Sequence, residues 1–318
     1  MVSAPAEAEP TSAPAAAAPG NPCFAPFATG AEEKMTVAGV PFVKSGTVLK
    51  MEEDANATTV LGVIGNVKEF SDENAAAITD YVGFFKERKV DAVVVTGDVG
   101  ESQSDIEMAL TAIAKVGKPI FAVIGNRENG DDFGKAVAKV DGVVDLNQTR
   151  LVILDDHALV SVPGYHDPNY VHAERGCVYG PAEIAEIGKA VDAAGDVPVV
   201  VVSHGPPKQS GEAGIDMMAE GDHVGNAALT AFAEAKKVPF MIASNIQESG
   251  GRGSSRDGSK PVAEKEMASE LYFNPGGADR TVAWKMRNGE FAYGMVGIMS
   301  LDGDKASYEL MKLPNPEM

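Results

Sequence analysis

Ala92-Val93-Val94-Val95-Thr96-Gly97-Asp98-Val99-Gly100-Glu101 is the stretch that decides the fold. Its apolar run reads as a strand buried on both faces, and the switch to Gly-Asp puts a carboxylate on the loop leaving that strand. The same arrangement recurs four times. Thr58 to Ile64 is an apolar strand followed by Gly65-Asn66-Val67-Lys68, and Pro119 to Ile124 is followed by Gly125-Asn126-Arg127-Glu128. Pro198 to Ser203 runs into His204-Gly205-Pro206-Pro207, and Phe240 to Ala243 into Ser244-Asn245-Ile246-Gln247-Glu248. Helical patterns lie between the first strands. Ser71 is a candidate N-cap for a helix from Asp72 to Arg88 with Ala77, Ile78, Tyr81, Val82 and Phe85 on one face, and Asp105 to Val116 also reads as helix. Strand–helix–strand alternation gives parallel βαβ units, whose function gathers at the carboxyl ends of the strands. The polar stretches sit at those ends.

The remaining chain is organised around this half. Met35 to Met51 alternates around Gly39 and Ser45-Gly46 as a β-hairpin would, and Arg150 to Val162 reads as two strands around Asp155-Asp156-His157. Ala182 to Ala194 and Asn226 to Lys237 read as helices. Leu271 to Asn274, Thr281 to Met286, Phe291 to Ser300 and Ala306 to Leu313 form a strand-rich end with glycine turns. The expected organisation is a tail over 1–32 and a single domain over 33–318, with the hairpin at 35–51 and the core at 58–313.

Composition narrows the function classes. The chain has 318 residues, 44% apolar and 23% charged, with a formal net charge of −19. Such a charge argues against non-specific binding to nucleic acid or an anionic membrane surface, so an anionic substrate needs a local positive site. No apolar run approaches the ~18 residues of a membrane-spanning helix. Met1 to Pro26 is Ala/Pro-rich and too polar to pack, which reads as a disordered tether. Tethers of this composition follow a lipidated cysteine in exported bacterial proteins, so the expectation is a periplasmic or lipoprotein-tethered protein whose signal is absent from this chain. A cytoplasmic protein with a disordered tail is the alternative. Cys23 and Cys177 are the two cysteines, and a disulfide or two separate thiols both fit.

Taken in order, the five polar stretches resemble the calcineurin-like metallophosphoesterases, whose pattern reads D-x-H, G-D-x-x-(D/E), G-N-H-(D/E), an isolated His, then G-H-x-H. The loops Gly214-Ile215-Asp216, Gly221-Asp222-His223-Val224-Gly225 and Phe273-Asn274-Pro275-Gly276 extend the likeness, which covers roughly Thr58 to Leu313. The resemblance implies an α/β fold: a four-layer α/β/β/α sandwich of two mixed β-sheets flanked by helices. It also implies metal-dependent hydrolysis of a phosphate ester, with two cations ~4 Å apart clamping the phosphoryl oxygens. Asp98, Asn126 and His204 stand at ligand positions, and Asn245 replaces a fourth ligand with a neutral oxygen donor. One divalent ion (Mn, Fe or Zn) is therefore expected there. The other metal site departs further. Asn66 and Gln247 stand at vestigial ligand positions, and an ammonium at Lys68 has no lone pair to offer.

A charge count gives the departures a direction. Losing a divalent cation removes two positive charges; replacing Asp by Asn and neutral His by Lys restores two. Arg127, at the position of the family's catalytic His, adds a planar donor suited to bidentate phosphate contact. It stays protonated near neutral pH and cannot be a general acid. Two functions follow: a mononuclear phosphoesterase of low activity using Lys68 and Arg127 on the phosphate, or an inactive pseudo-phosphoesterase that binds a small phosphorylated or other anionic ligand. Plainer readings stand beside these. Asp98 fits a turn carboxylate, Asn126 a turn amide and His204 a satisfied core histidine. Asn66 and Lys68 fit a loop cap and a solvated charge, and Arg127 fits a surface pair with Glu128. His166 and His223 lie in Gly-rich loops that line a pocket or merely stabilise the loop; His157 reads as a hairpin-turn residue. Gly250-Gly251-Arg252-Gly253-Ser254-Ser255-Arg256 looks like a phosphate-cradling loop but lacks the Lys-Ser/Thr ending and a following helix.

Overall fold

A computed structural model describes residues 21–52, 58–154 and 156–315. The chain opens with β1 (Glu32–Val37), β2 (Val40–Ser45) and β3 (Val48–Met51). Strands and helices then alternate: β4 (Thr58–Ile64), α1 (Asp72–Glu87), β5 (Ala92–Val95), α2 (Gln103–Ala114), β6 (Ile120–Ala122), α3 (Gly130–Val137) and β7 (Val143–Asp145). Next come β8 (Leu151–Leu154), β9 (His157–Val162), α4 (Pro181–Ala193), β10 (Val199–Ser203), α5 (Ala227–Ala235) and β11 (Phe240–Ile242). The chain closes with β12 (Arg252–Ser254), β13 (Pro261–Val262), β14 (Leu271–Asn274), β15 (Trp284–Lys285), β16 (Phe291–Ala292), β17 (Met295–Asp302) and β18 (Lys305–Lys312).

Local chemistry sets these boundaries. Ser71, Ser102, Asn129 and Asn226 each accept a hydrogen bond from a first-turn N–H and so start α1, α2, α3 and α5. β5 and β10 are buried along their whole length, as strands covered on both faces must be. They belong to two sheets. One has six strands in the order β18-β17-β4-β5-β6-β7; the other has ten, β1-β2-β3-β8-β9-β10-β11-β14-β12-β13, and β15-β16 form a separate ribbon.

Three apolar clusters fill the spaces between layers. Ile78, Tyr81, Phe85, Ile106 and Leu110 pack α1 and α2 onto Val93 and Val95 of the six-stranded sheet. Leu61, Val63, Val94 and Phe121 meet Val200, Val202, Phe240 and Phe273 between the two sheets. Ile184, Ile187, Leu229 and Phe232 pack α4 and α5 onto Val201 and Met241. Alternate residues of β5 and β10 thus feed opposite layers, which is how period-2 strands build an α/β/β/α sandwich. Two mixed sheets with helices on their outer faces are the architecture the motif order implied.

Some details differ from expectation. The hairpin over 35–51 is a three-stranded meander beginning at Glu32, and its third strand pairs parallel to β8. Short elements α3 and β7 follow a polar stretch that masks them in the sequence. Residues 21–31, assigned to the tail ending at 32, belong to the folded body. Cys23 is disulfide-bonded to Cys177, Phe24 is buried, and the Ala25 N–H donates to the Asn147 carbonyl at 2.9 Å. An aromatic ring and a covalent cross-link outweigh the polar composition around them. Residues 1–20, which carry most of the proposed tether, lie outside the described residues. No helix among the described residues is long and apolar enough to cross a membrane.

Candidate functional site

The site forms where β4, β5, β10 and β11 end side by side, and hydrogen bonds sew the two sheets together there. Thr96 Oγ1 is 2.7 Å from Ser244 Oγ, Asn66 Nδ2 donates to the Ser244 carbonyl at 2.9 Å, and the Ser244 N–H donates to the His204 carbonyl at 3.1 Å. The stretches around Asn66 and Asp98 run alongside each other through Asn66 N–H to Gly97 O (2.9 Å) and Lys68 N–H to Asp98 O (2.7 Å). Asn66, Lys68 and Asp98 all have left-handed backbones, with φ of 54, 65 and 55°. Such conformations cost energy in non-glycine residues and gather at functional sites. Two glycines let the loops close. A Cβ on Gly125 would collide with Asp98 Oδ1, and one on Gly97 would stand 2.9 Å from His204 Nδ1.

At the centre, lone pairs converge. His204 is fully buried; its Nδ1 is 2.8 Å from the Thr96 carbonyl, which can only accept, so Nδ1 carries a proton. Nε2 then faces Asn126 Oδ1 at 2.8 Å and Asp98 Oδ1 at 3.4 Å. The Asn126 amide is fixed in that sense because its Nδ2 donates to the Tyr170 carbonyl at 2.6 Å. A nitrogen and two oxygens aimed at one another demand a positive charge between them, either a proton on Nε2 or a cation. Burial pulls the His204 imidazole down, but Asp98 and then Glu128 outweigh it and raise its pKa above the ordinary value. Burial pushes the Asp98 carboxyl up, but the His204 charge and hydrogen bond and the Arg127 N–H hold it below the usual carboxylate range. The Asp98 carboxylate also accepts the Asn126 and Arg127 backbone N–H groups, each at 3.0 Å.

A second acceptor points the same way. Asn66 is fully buried, and its Oδ1 has no hydrogen-bond partner. An orphaned buried oxygen is costly unless water or a cation meets it. These donors suit a hard or borderline cation, with one carboxylate, one imidazole and two amide oxygens available. The set is weak, however: among the described residues no three His, Cys, Asp or Glu side chains group to hold a metal.

The other candidates separate. Lys68 is half-buried with its Nζ 4.4 Å from the centre of the Trp284 ring. Burial lowers its ammonium pKa, Arg127 adds to this, and Asp279, Asp98 and Glu101 oppose it. Arg127 lies within electrostatic reach of both Lys68 and Asp98, but its guanidinium is bound to Glu101, with Nε at 2.8 Å from Oε1. The expected surface pair with Glu128 is absent. Glu128 is fully buried and accepts the Val99 and Gly125 N–H groups at 2.6 and 2.9 Å. Burial first, then the Asp98 charge, pushes its carboxyl up to about 8.

The Asn245 backbone N–H donates to the His204 carbonyl at 2.9 Å, its side chain lies beside the Tyr165 hydroxyl, and the Tyr165 ring meets the His204 ring edge-on at 6.3 Å. Gln247 packs its amide over Gly277. His166 stacks on Tyr165 at 4.5 Å, one ring removed from His204, and its buried Nδ1 lacks a partner. His223 is held by Asp216 at 2.7 Å as a loop-stabilising group, and His157 is a buried core histidine 2.9 Å from Thr59 Oγ1. Sequence reading missed Trp284, Tyr165 and Glu128. Only the last carried a signal, as the acid closing its motif.

The pattern that defines the calcineurin-like phosphoesterases matches residues 69–244, more than half of the 318 residues. The match spans Asp98, Asn126 and His204 and stops short of the altered stretches at Asn66-Val67-Lys68 and Asn245-Ile246-Gln247. Among solved structures, the chain is similar to TT1561 of Thermus thermophilus, at 13% identity and TM-score 0.54 over 79% of this chain and 98% of that one. It is similar to GAP50, the anchor in the inner membrane complex of Plasmodium, at 12% identity and TM-score 0.50 over 82% and 90% of the chains. It is also similar to the purple acid phosphatase PPD1 of yellow lupin (Lupinus luteus), at 12% identity and TM-score 0.50 over 86% of this chain and 54% of that one. No curated protein matches it.

Proposed function

Because this chain belongs to the calcineurin-like phosphoesterases, a family of metal-dependent enzymes, we propose that it is a mononuclear phosphoesterase of low activity acting at the Asp98 site. The observation that carries the reading is the convergence of His204 Nε2, Asn126 Oδ1 and Asp98 Oδ1 with the orphaned Asn66 Oδ1 nearby in the same strand-end cluster. Asp98, His204 and Asn126 would hold one divalent ion, with Asn245, whose N–H sits on the His204 carbonyl, beside them. That ion would supply Lewis-acid polarisation of a phosphoryl oxygen when bound.

The protein's own groups supply the rest. Thr96 holds the imidazole in its tautomer, and Tyr170 holds the Asn126 oxygen inward. Lys68 offers a partly desolvated ammonium to the phosphate, where a charge interaction is stronger than in water. Arg127 can join it by exchanging Glu101 for substrate oxygens. Arg127, at the position of the family's catalytic His, cannot give up a proton to a leaving group as imidazole does, so turnover is slow.

A second reading is favoured by Lys68 itself. An ammonium standing where the family has a metal-ligating His leaves an anion site that needs no second ion, so the protein would bind a small phosphorylated ligand without cleaving it. The fold does not choose between these, since it is shared by an anchor and by a phosphatase. The deciding experiment is hydrolysis of 4-nitrophenyl phosphate with added Mn, together with metal analysis of the purified protein. The hydrolase reading expects saturable turnover that Asp98→Asn and His204→Gln each reduce at least ~100-fold. Absence of both turnover and metal uptake would leave the binding reading. The disulfide between Cys23 and Cys177 and the Ala/Pro-rich N-terminal composition support an exported, periplasmic or lipid-anchored location.

A further inference from the structure

A cavity of about 770 Å³ contains none of the residues proposed for the Asp98 site. It lies between the β15–β16 ribbon and the edges formed by β12, β13, β17 and β18, and the Gly250-Gly251-Arg252-Gly253 stretch forms part of its wall. We propose that this groove is a second binding site, taking an organic anion whose carboxylate or phosphate is carried on a flat apolar body.

Its charges are the first argument. Seven of the eight arginines form side-chain ion pairs or hydrogen bonds: Arg88, Arg127, Arg175 and Arg256 with carboxylates, and Arg150, Arg280 and Arg287 with carbonyls. Arg252 alone, half-buried in the groove wall, has neither among the described residues. Lys312 lines the same groove and is likewise unpaired among them. In a chain of net charge −19, carboxylates are abundant. A guanidinium partly taken from water and left without an acceptor is costly, and a planar anion is the partner its fork fits. The one acid in the wall, Glu290, is engaged by Asn288 Nδ2 at 2.9 Å.

The walls are the second argument. Phe291 is 52% exposed at the groove, and Tyr293 and Tyr308 line it beside the two cations. Tyr308 has its hydroxyl committed to the Val262 carbonyl at 3.0 Å, so it presents ring rather than donor. Gly251 has φ +73°, and a Cβ there would stand 2.6 Å from the Met295 methyl, so this part of the wall carries no side chain. Rings beside fixed positive charge bind a flat anion by stacking and charge together. The glycine run therefore serves a different surface from the P-loop it resembles in sequence.

Calorimetric titration of the full chain with 2-naphthoate and with 2-naphthylphosphonate tests this, neither probe being a phosphate ester. Expected is one saturable site for at least one of them. The neutral analogue 2-naphthalenemethanol should bind at least tenfold more weakly, and affinity should fall as salt rises. The paired substitution Arg252→Gln with Lys312→Gln should weaken the anion at least tenfold, while Lys68→Met leaves it unchanged. Binding of neither anion, equal binding of the neutral analogue, or loss of binding in Lys68→Met would each overturn the proposal. The neutral-analogue and salt comparisons use the unaltered protein and hold even where a variant folds poorly.

Discussion

The ammonium of Lys68 lies 4.4 Å from the centre of the Trp284 ring, and Trp284 is the only tryptophan of the chain. A cation over an indole face is worth about 0.5–2 kcal/mol depending on desolvation, enough to hold a flexible side chain over the site. The pair also gives the site its own optical probe. Inorganic phosphate that draws Lys68 away should change Trp284 emission saturably in the parent protein. Lys68→Met should alter the starting emission and weaken the phosphate response at least tenfold. An identical titration in both would mean that Lys68 does not meet the anion.

Restoring the motif tests whether the strand ends still form a two-metal frame. Asn66 is already buried against Ser244 and Asp98 already accepts two N–H groups, so Asn66→Asp and Lys68→His enter loops of the right shape. Combined with Arg127→His, Asn245→His and Gln247→His, they should raise Mn-dependent turnover of an aryl phosphate by roughly 10²-fold or more. Each departure taken back singly should give little, because a site is complete only with all its ligands. A properly folded fivefold variant with no gain would show that the strand ends are not in register with the family's ligands.

The strands, the four layers and the Asp98–Asn126–His204 contact were legible because each depends on local pattern: period-2 burial, an N-cap, a polar residue just past a strand. What was not legible came from long-range partners. Nothing near Arg127 announces that its guanidinium meets Glu101, twenty-six positions away, rather than Glu128 beside it. Asn245 reads as a ligand by order, and nothing in its own stretch announces that its side chain lies beside Tyr165, a phenol brought in by a different loop. Trp284 sits on a two-residue strand with no periodicity to mark it. The tail boundary failed for the same reason, since Phe24 finds its pocket only through Cys177 and Arg150.

Asp145 gives the fold a pH dependence of predictable sign. Burial pushes its carboxyl up to about 7, against the pull of the Asn147 and Gln148 N–H groups and Arg150. Its unfolded value is about 3.9, so between about pH 4 and 7 the folded state holds a proton that the unfolded state has released. Its contribution to stability is full below about pH 4 and is lost as pH rises through about 7, at no more than about 1.4 kcal/mol per pH unit. Asp145→Asn keeps the side-chain oxygen that Asn147 donates to and removes the titration. Urea midpoints at pH 4.5 and 7.5 should therefore differ less in the variant than in the parent. Equal differences would show that Asp145 titrates near its ordinary value.

The N-terminal strap holds a buried charge in place. Arg150 is almost fully buried, donates to the Leu146 and Ser161 carbonyls and to Ser161 Oγ, and has the Phe24 ring 3.9 Å from its guanidinium carbon. Burial, only partly offset by Asp145 and Glu186, lowers its pKa to about 9. Cys23, next to Phe24, is bonded to Cys177 across 154 positions of chain. A cross-link closing so long a loop typically stabilises by about 2–4 kcal/mol, and truncating a buried Phe costs about 3–5 kcal/mol. Phe24→Ala and the paired substitution Cys23→Ala with Cys177→Ala should each lower the urea midpoint. Their combined loss should be smaller than the sum, because freeing the strap already uncovers Arg150. Dithiothreitol should lower the midpoint of the parent protein and leave that of the cysteine-free pair unchanged; a parent midpoint indifferent to reductant would show that Phe24 stays seated without the cross-link.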